Sequence, residues 1–348
     1  MTNARSSRRS EGTLQRRREK LPWPRDRRFR ILSIDGGGIR GILPATLLAD
    51  IEQRYCNGVP IGEHFDLIAG TSTGGIIALA LAIGLPASRI ASVYAEHGDE
   101  IFPAPKRFRA ARRLIAGISS LRSYKYDREP LERELRQVFG NATMGDATRR
   151  LCVPSFDGFT EVNVFKTPHH PDFKLDWREE LVTVALATSA APTFFSVYAN
   201  GDRRFADGGV WANNPVMIGL VDALTCNELD AGQVDILSLG CGESEMIISD
   251  PQVRLGGLWH WRGVIASAMH LASQNALGQA GLLIGRDRLV RVDGPLMDVP
   301  IALDDVTRAM SELPVIAHGL VDKFGDQIAD VFLRTLADPY SAFHGPRA

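Results

Sequence analysis

The feature that most constrains this chain is Phe65-Asp66-Leu67-Ile68-Ala69-Gly70-Thr71-Ser72-Thr73-Gly74-Gly75, followed by the small and apolar run Ile76 to Ile83. A short buried strand, a Gly-x-Ser-x-Gly turn and a helix form the nucleophile-elbow pattern. Gly70 and Gly74 allow a turn tight enough to lift the Ser72 hydroxyl above the end of a sheet. The next helix aims its N-terminal N–H groups and positive dipole end at the same point. A chain built this way is expected to be α/β, with a serine placed for nucleophilic chemistry.

A second glycine-rich turn lies upstream. Phe29-Arg30-Ile31-Leu32-Ser33-Ile34 reads as the first strand, and Asp35-Gly36-Gly37-Gly38-Ile39-Arg40-Gly41 leads into a helix from Ile42 to about Tyr55. Gly36-x-Gly38-x-x-Gly41 matches a dinucleotide fingerprint in letters alone. That fingerprint needs an acid ending a second strand about twenty residues on, whereas Glu52 falls inside the predicted helix. Three consecutive glycines better suit a backbone nest for an oxyanion. Arg40 adds positive charge there or ties the loop to the body. A third turn, Arg204-Phe205-Ala206-Asp207-Gly208-Gly209, is followed by Asn213-Asn214-Pro215. It places Asp207 at a strand end, on a tight and strained turn, with a helix starting at Pro215.

Between these turns, helices are predicted over Pro86–Ile101 and Glu129–Phe139, strands over Arg150–Ser155 and Glu161–Thr167, and a small-residue helix over Leu181–Ala191. Val234–Leu239 is a buried strand. The last hundred residues read as helices over Leu258–Leu277, Leu303–Leu313 and Val315–Leu336, with a strand near Arg288–Val292.

Charge is unevenly spread. The first thirty residues hold eleven of the 40 Arg and Lys but three of the 41 acids, so residues 1–27 are expected to be a disordered basic arm. Such an arm is a solvated tail, a polybasic membrane contact or a contact for an acidic partner. Lys106 to Arg113 forms a basic stretch whose apolar stripe either lies on an anionic bilayer or packs on the core. No apolar run approaches the ~20 residues of a membrane span, and no secretory h-region follows the basic start. Cys56, Cys152, Cys226 and Cys241 lack metal or redox spacing and read as buried thiols of a reducing compartment. His169 and His170 have no ligand spacing, and no metal is expected. A histidine triad would have to draw on His64, His97, His260, His270 or His318, none of which sits in a glycine-bounded loop after a strand.

Taken in order, Asp35-Gly-Gly-Gly-Ile-Arg-Gly41, Gly70-Thr-Ser-Thr-Gly74 and Asp207-Gly208-Gly209 resemble the motifs of the patatin-like phospholipase family. Ala187-Thr-Ser-Ala-Ala-Pro192 with Phe194 and Phe195 resembles the segment that precedes the family's Asp-Gly-Gly. The resemblance implies a three-layer α/β/α sandwich related to α/β-hydrolases, spanning residues 28–242, with extra C-terminal helices over 243–348 and a lid or cap region over 102–140. It implies a lipid acyl hydrolase working through a Ser–Asp dyad and an acyl-enzyme. Ser72 is the nucleophile, Asp207 the base, Gly36, Gly37 and Gly38 the oxyanion hole, and Arg40, Gly70, Gly74, Gly208 and Gly209 supporting residues.

The chain also resembles the phospholipase effectors of cyclic-oligonucleotide (CBASS-type) anti-phage defence. That implies membrane phospholipid as substrate, peripheral contact at the inner face of the membrane from the cytoplasm, and a cyclic di- or trinucleotide as activating ligand. No cofactor and no nucleic-acid polymer is implied, and homo-oligomerisation is left open. The alternatives are a constitutive lysophospholipase, a nucleotide-binding module and a non-catalytic interaction protein. The gate of a latent enzyme would be Phe102–Leu121, and the ligand surface would lie near Trp259, Trp261 and Arg262.

Overall fold

β1 (Phe29–Ile34) is buried on every residue, Arg30 and Ser33 included, because it lies in the middle of a sheet covered on both faces. The computed structural model describes residues 18–101, 124–158, 161–192, 194–242, 264–295, 297 and 299–348. β1 is joined by β2 (Leu67–Gly70), β3 (Arg150–Asp157), β4 (Glu161–Lys166), β5 (Tyr198–Asn200), β6 (Arg203–Asp207), β7 (Val234–Leu239) and β8 (Leu289–Val292). The order across the sheet is β5-β6-β3-β2-β1-β7-β8, with β4 paired to β3. β3, β2, β1, β7 and β8 run parallel, while β4 and β6 pair antiparallel to β3 and β5 antiparallel to β6.

The expected α/β layers follow from the strands' alternation. Leu32 and Ile34 of β1 enter one core with α1 (Ile42–Tyr55), α2 (Thr73–Ala82), α5 (Leu181–Thr188) and α9 (Val306–Ile328). Phe29 and Ile31 enter a second core on the opposite face, with α7 (Val216–Cys226) and α8 (Val264–Ile284). α3 (Ala87–Ile101) and α4 (Glu129–Phe139) extend the first layer, and the short turn α6 (Gly209–Ala212) precedes α7.

Two expectations are corrected. Of the basic arm expected over residues 1–27, residues 18–27 are seated on the body. Leu21 donates its N–H to Cys226 O, Trp23 packs on Phe29 at 4.8 Å, and Arg27 pairs with buried Asp66 at 2.8 Å. Trp23 and Leu21 supply the apolar area that a charge count overlooks. Pro314 does not divide the last helix, which is continuous from Val306 to Ile328. The missing hydrogen bond costs about 3 kcal/mol, and packing outweighs it. Val306, Ala309, Leu313, Ala317, Val321 and Ile328 are all buried along the face that meets α1. The strand expected near Arg288–Val292 is β8, which continues the central sheet beside β7. Residues 1–17, the stretch Phe102–Leu121 with Lys106–Arg113, and Trp259, Trp261 and Arg262 lie outside the described residues.

Candidate active site

The elbow after β2 is built by close approach. A Cβ on Gly70 would stand 2.1 Å from Gly74 O, and one on Gly74 2.3 Å from Ile34 O. Ser72 between them has φ 54° and ψ −122°. Among the described residues only Asn57 and Ser72 combine a side chain with positive φ, a strained state that surrounding structure must hold. The holding contacts are specific. Ser72 N–H donates to Thr188 Oγ1 at 3.0 Å, and Thr188 Oγ1 donates to Pro154 O at 2.6 Å. Thr71 Oγ1 donates to Ala212 O at 2.7 Å.

Asp207 reaches the elbow through strand register. On β3, one edge carries β4, with Ser155 opposite Asn163. The other edge carries β2 beside Arg150–Cys152, and then β6 beside Ser155–Asp157, with Ser155 opposite Asp207. β2 and β6 thus share one edge of β3, and the chain leaving β2 at the elbow meets the end of β6. Ser72 Oγ donates to Asp207 Oδ2 at 2.6 Å, and Gly209 N–H donates to Asp207 Oδ1 at 2.6 Å. Among the described residues no cation pairs with this carboxylate. Burial pushes it up to about 6, against the two hydrogen bonds that favour its charged form. The expected backbone strain at Asp207 is absent. Gly208 sits at φ −61° and is needed for room, since its Cβ would lie 2.3 Å from Pro154 O. The helix expected at Pro215 is preceded by α6 and starts at Val216.

The three loop glycines are not equivalent. Gly36 donates its N–H to Asn213 O at 3.0 Å and so cannot serve as an oxyanion donor. Gly37 and Gly38 remain as the candidate donors. A Cβ on Gly37 would meet Cys241 Cβ at 2.4 Å. Gly38 has φ 57° and lies against Leu303 O, which accepts from Ile39 N–H at 2.9 Å. Arg40 ties the loop to the body, its guanidinium donating to Gly242 O at 3.3 Å.

Ser72 and Asp207 open on a cavity of about 640 Å³ whose walls are mostly apolar, among them Ile76, Leu85, Ile90, Leu135, Val138 and Phe195. α4, from the expected cap region, supplies part of this wall. Glycine-loop residues line the other side, with Arg291, Asp293 and Leu303 from the C-terminal segment. Histidines are elsewhere: His64 bonds Thr335 O, His97 faces Glu134, and His318 bonds Asp50. His270 lines the cavity, and His260 is outside the described residues. No histidine hydrogen-bonds Ser72 or Asp207 among the described residues.

Sequence reasoning missed Thr188, Asn213, Tyr94 and Arg291. Thr188 and Asn213 stood inside quoted motifs without a role. Tyr94 bonds Thr73 Oγ1 beside the nucleophile from α3, with no local signal. Arg291 does have one: a lone cation inside the apolar strand Leu289-Val290-Arg291-Val292.

A family model described as patatin-like phospholipase matches residues 32–220. A cGAMP-activated phospholipase of Pseudomonas aeruginosa (strain BWHPSA011 / Pa011) is 33% identical over 318 residues, covering 89% of this chain and 90% of that protein. One from Vibrio cholerae is 38% identical over 280 residues, covering 73% and 76%. One from Escherichia coli is 39% identical over 226 residues, covering 62% of each.

Proposed function

The chain belongs to the patatin-like phospholipase family, and from that premise we propose that Ser72 and Asp207 hydrolyse acyl esters of membrane phospholipids. The observation that carries the reading is the Ser72 Oγ–Asp207 Oδ2 hydrogen bond of 2.6 Å, formed on a strained elbow at the wall of a large apolar cavity.

The reaction needs a base, a nucleophile and donors for the developing oxyanion. A carboxylate at its ordinary pKa near 4 is a weak base for a hydroxyl. Burial of Asp207 makes it stronger, and Gly209 N–H fixes its orientation. As Ser72 Oγ attacks the ester carbonyl carbon, its proton passes to Asp207 Oδ2. The carbonyl oxygen becomes the oxyanion, received by the N–H groups of Gly37 and Gly38 near the N-terminus of α2. Collapse breaks the ester C–O bond, and Asp207 returns the proton to the departing alkoxide. Asp207 then takes a proton from water, whose oxygen attacks the acyl-enzyme, and returns it to Ser72 Oγ as the acyl C–Oγ bond breaks and the fatty acid leaves. The apolar side of the cavity accommodates the acyl chain, where its burial is favoured by roughly 0.8 kcal/mol per CH₂.

We further propose activation by a cyclic dinucleotide, action at the cytoplasmic face of the membrane and a part in anti-phage defence. The support is that three relatives at 33–39% identity are named cGAMP-activated phospholipases. No helix among the described residues is long and apolar enough to cross a membrane. The test is fatty-acid release from phospholipid vesicles by the wild type and Ser72→Ala, with and without a panel of cyclic di- and trinucleotides. The expected result is release only by the wild type and only with the activator. Full release without any nucleotide would make the chain a constitutive acyl hydrolase. Equal release by Ser72→Ala would overturn the dyad.

A further inference from the structure

On the face of the sheet that meets α7 and α8, successive rows change character towards the carboxyl ends of the strands. Ile31, Ile236 and Leu289 form an apolar row, and Ser33, Ser238 and Arg291 form the next. One step further stand Asp35, Gly240 and Asp293, at the root of the glycine loop. Gly240 leaves its place empty: a Cβ there would lie 2.0 Å from the Asp293 carboxylate. Two carboxylates therefore share one gap at the end of the sheet, and one guanidinium joins them. Arg291 Nη2 donates to Asp35 Oδ2 at 2.8 Å and pairs with Asp293, while Nη1 donates to Ser238 Oγ at 2.9 Å. Asp293 Oδ1 in turn accepts from Gly242 N–H and Gly294 N–H, each at 2.8 Å.

We propose that Arg291 is a positioning residue for the oxyanion loop, holding Asp35 so that Gly37 and Gly38 keep their N–H groups on the reacting carbonyl. The proposal rests on the dyad reading above. Its physical basis is that Asp35 is covalently the first residue of the loop and is buried at 4% exposure. Arg291 meets Asp35 through Nη2 alone, and because Nη1 is anchored on Ser238 Oγ the planar guanidinium holds that contact in a fixed direction. Without the guanidinium, two carboxylates repel across the place of Gly240, and the loop is the part free to move. β8 lies after residue 242, so the C-terminal segment carries a component that the glycine motif needs.

The experiment compares wild type, Arg291→Met, Arg291→Lys and the double variant Asp35→Asn/Arg291→Gln, which removes both charges together. Each is read by turnover of a soluble short-chain p-nitrophenyl ester and by the rate at which a fluorophosphonate labels Ser72. Arg291→Met is expected to lower kcat and the labelling rate about 10²-fold, the scale of one lost oxyanion donor, with little change in KM. Arg291→Lys should recover part of the loss, and the acid limb of the pH profile near 6 should not move, because Asp207 is untouched. A folded Arg291→Met or double variant with wild-type kcat and labelling overturns the proposal. So does a shifted acid limb, or loss of a cooperative melt in both variants, which would make Arg291 a stability residue. If the wild type labels at Ser72 yet releases no fatty acid from phospholipid, the substrate reading fails and the labelling rates still decide on Arg291. If the wild type does not label either alone or with the cyclic di- and trinucleotides, both fall.

Discussion

Asp207 and Asp222 are equally hidden, at 5% and 1% exposure, yet they face opposite ways chemically. Asp207 meets only a hydroxyl and an amide N–H, so burial dominates and its carboxyl is pushed up to about 6. Burial alone would raise Asp222 too. There the Lys166 ammonium and a His169 ring N–H, at 2.7 Å, hold it well below the usual carboxylate range. His169 is kept neutral by its own burial and accepts from Thr167 Oγ1 at its other nitrogen. The two sites use the same residue type in the same fold. A buried carboxylate without a cation can exchange a proton near neutral pH, while one with a cation cannot and serves as a brace. The brace ties β4 to α7.

The comparison can be broken or sharpened by experiment. The largest expected effect is on activity: Asp207→Asn should lower kcat about 10⁴-fold, as loss of a triad carboxylate does, while Asp222→Asn should leave kcat of the folded fraction near wild type. Steady-state ester hydrolysis at saturating substrate measures both. Next in size is stability. Asp222→Ala should cost about 3–5 kcal/mol, because it leaves the Lys166 charge buried and unpaired. Urea unfolding at pH 7 reads this, and a loss under about 1 kcal/mol would remove the brace assignment.

Asp207→Asn should instead stabilise the fold by about 1–3 kcal/mol at pH 8. The sign follows from linkage. The folded carboxyl binds its proton more tightly than the unfolded one, so its favourable contribution is present below about pH 4 and is lost as pH rises through about 6. Asp222 behaves oppositely: its contribution is present above about pH 4 and is lost as pH falls towards its depressed folded value. Unfolding free energies of the two variants across pH 4–8 would separate these trends, and parallel curves would erase the contrast. The smallest effect concerns the wild-type rate. Only ionised Asp207 can take the Ser72 proton, so kcat/KM should fall about tenfold per unit below pH 6. A limb nearer 7 that disappears when His270 is replaced would return the base role to a histidine.

Much of this was legible beforehand because elbows and nests are written in local chemistry. Gly70 is needed by a backbone contact with Gly74, four residues on, and positive φ at Gly38 is a property of that residue alone, although the room that Gly74 leaves is for Ile34 O on β1. Other features depend on partners far along the chain. No sequence pattern says that Gly36 N–H turns to Asn213 O, or that Trp23 docks on Phe29 and pulls residues 18–27 onto the body. Nor does Pro314 announce that the buried face of α9 will outweigh its missing bond.

The sequence by itself determined which atoms could do the chemistry: a serine between two glycines, an aspartate before two more, and a glycine loop with bare N–H groups. Only the tertiary structure decided that they work at one place. β2 and β6 share an edge of β3, which brings residues 135 positions apart to 2.6 Å. Burial raises the proton affinity of Asp207, and among the described residues no cation offsets it. The pairing that holds Asp35 comes from β8, some 250 residues downstream. A residue's chemical type is a local property, whereas its pKa, partners and orientation are fixed by everything the fold packs around it.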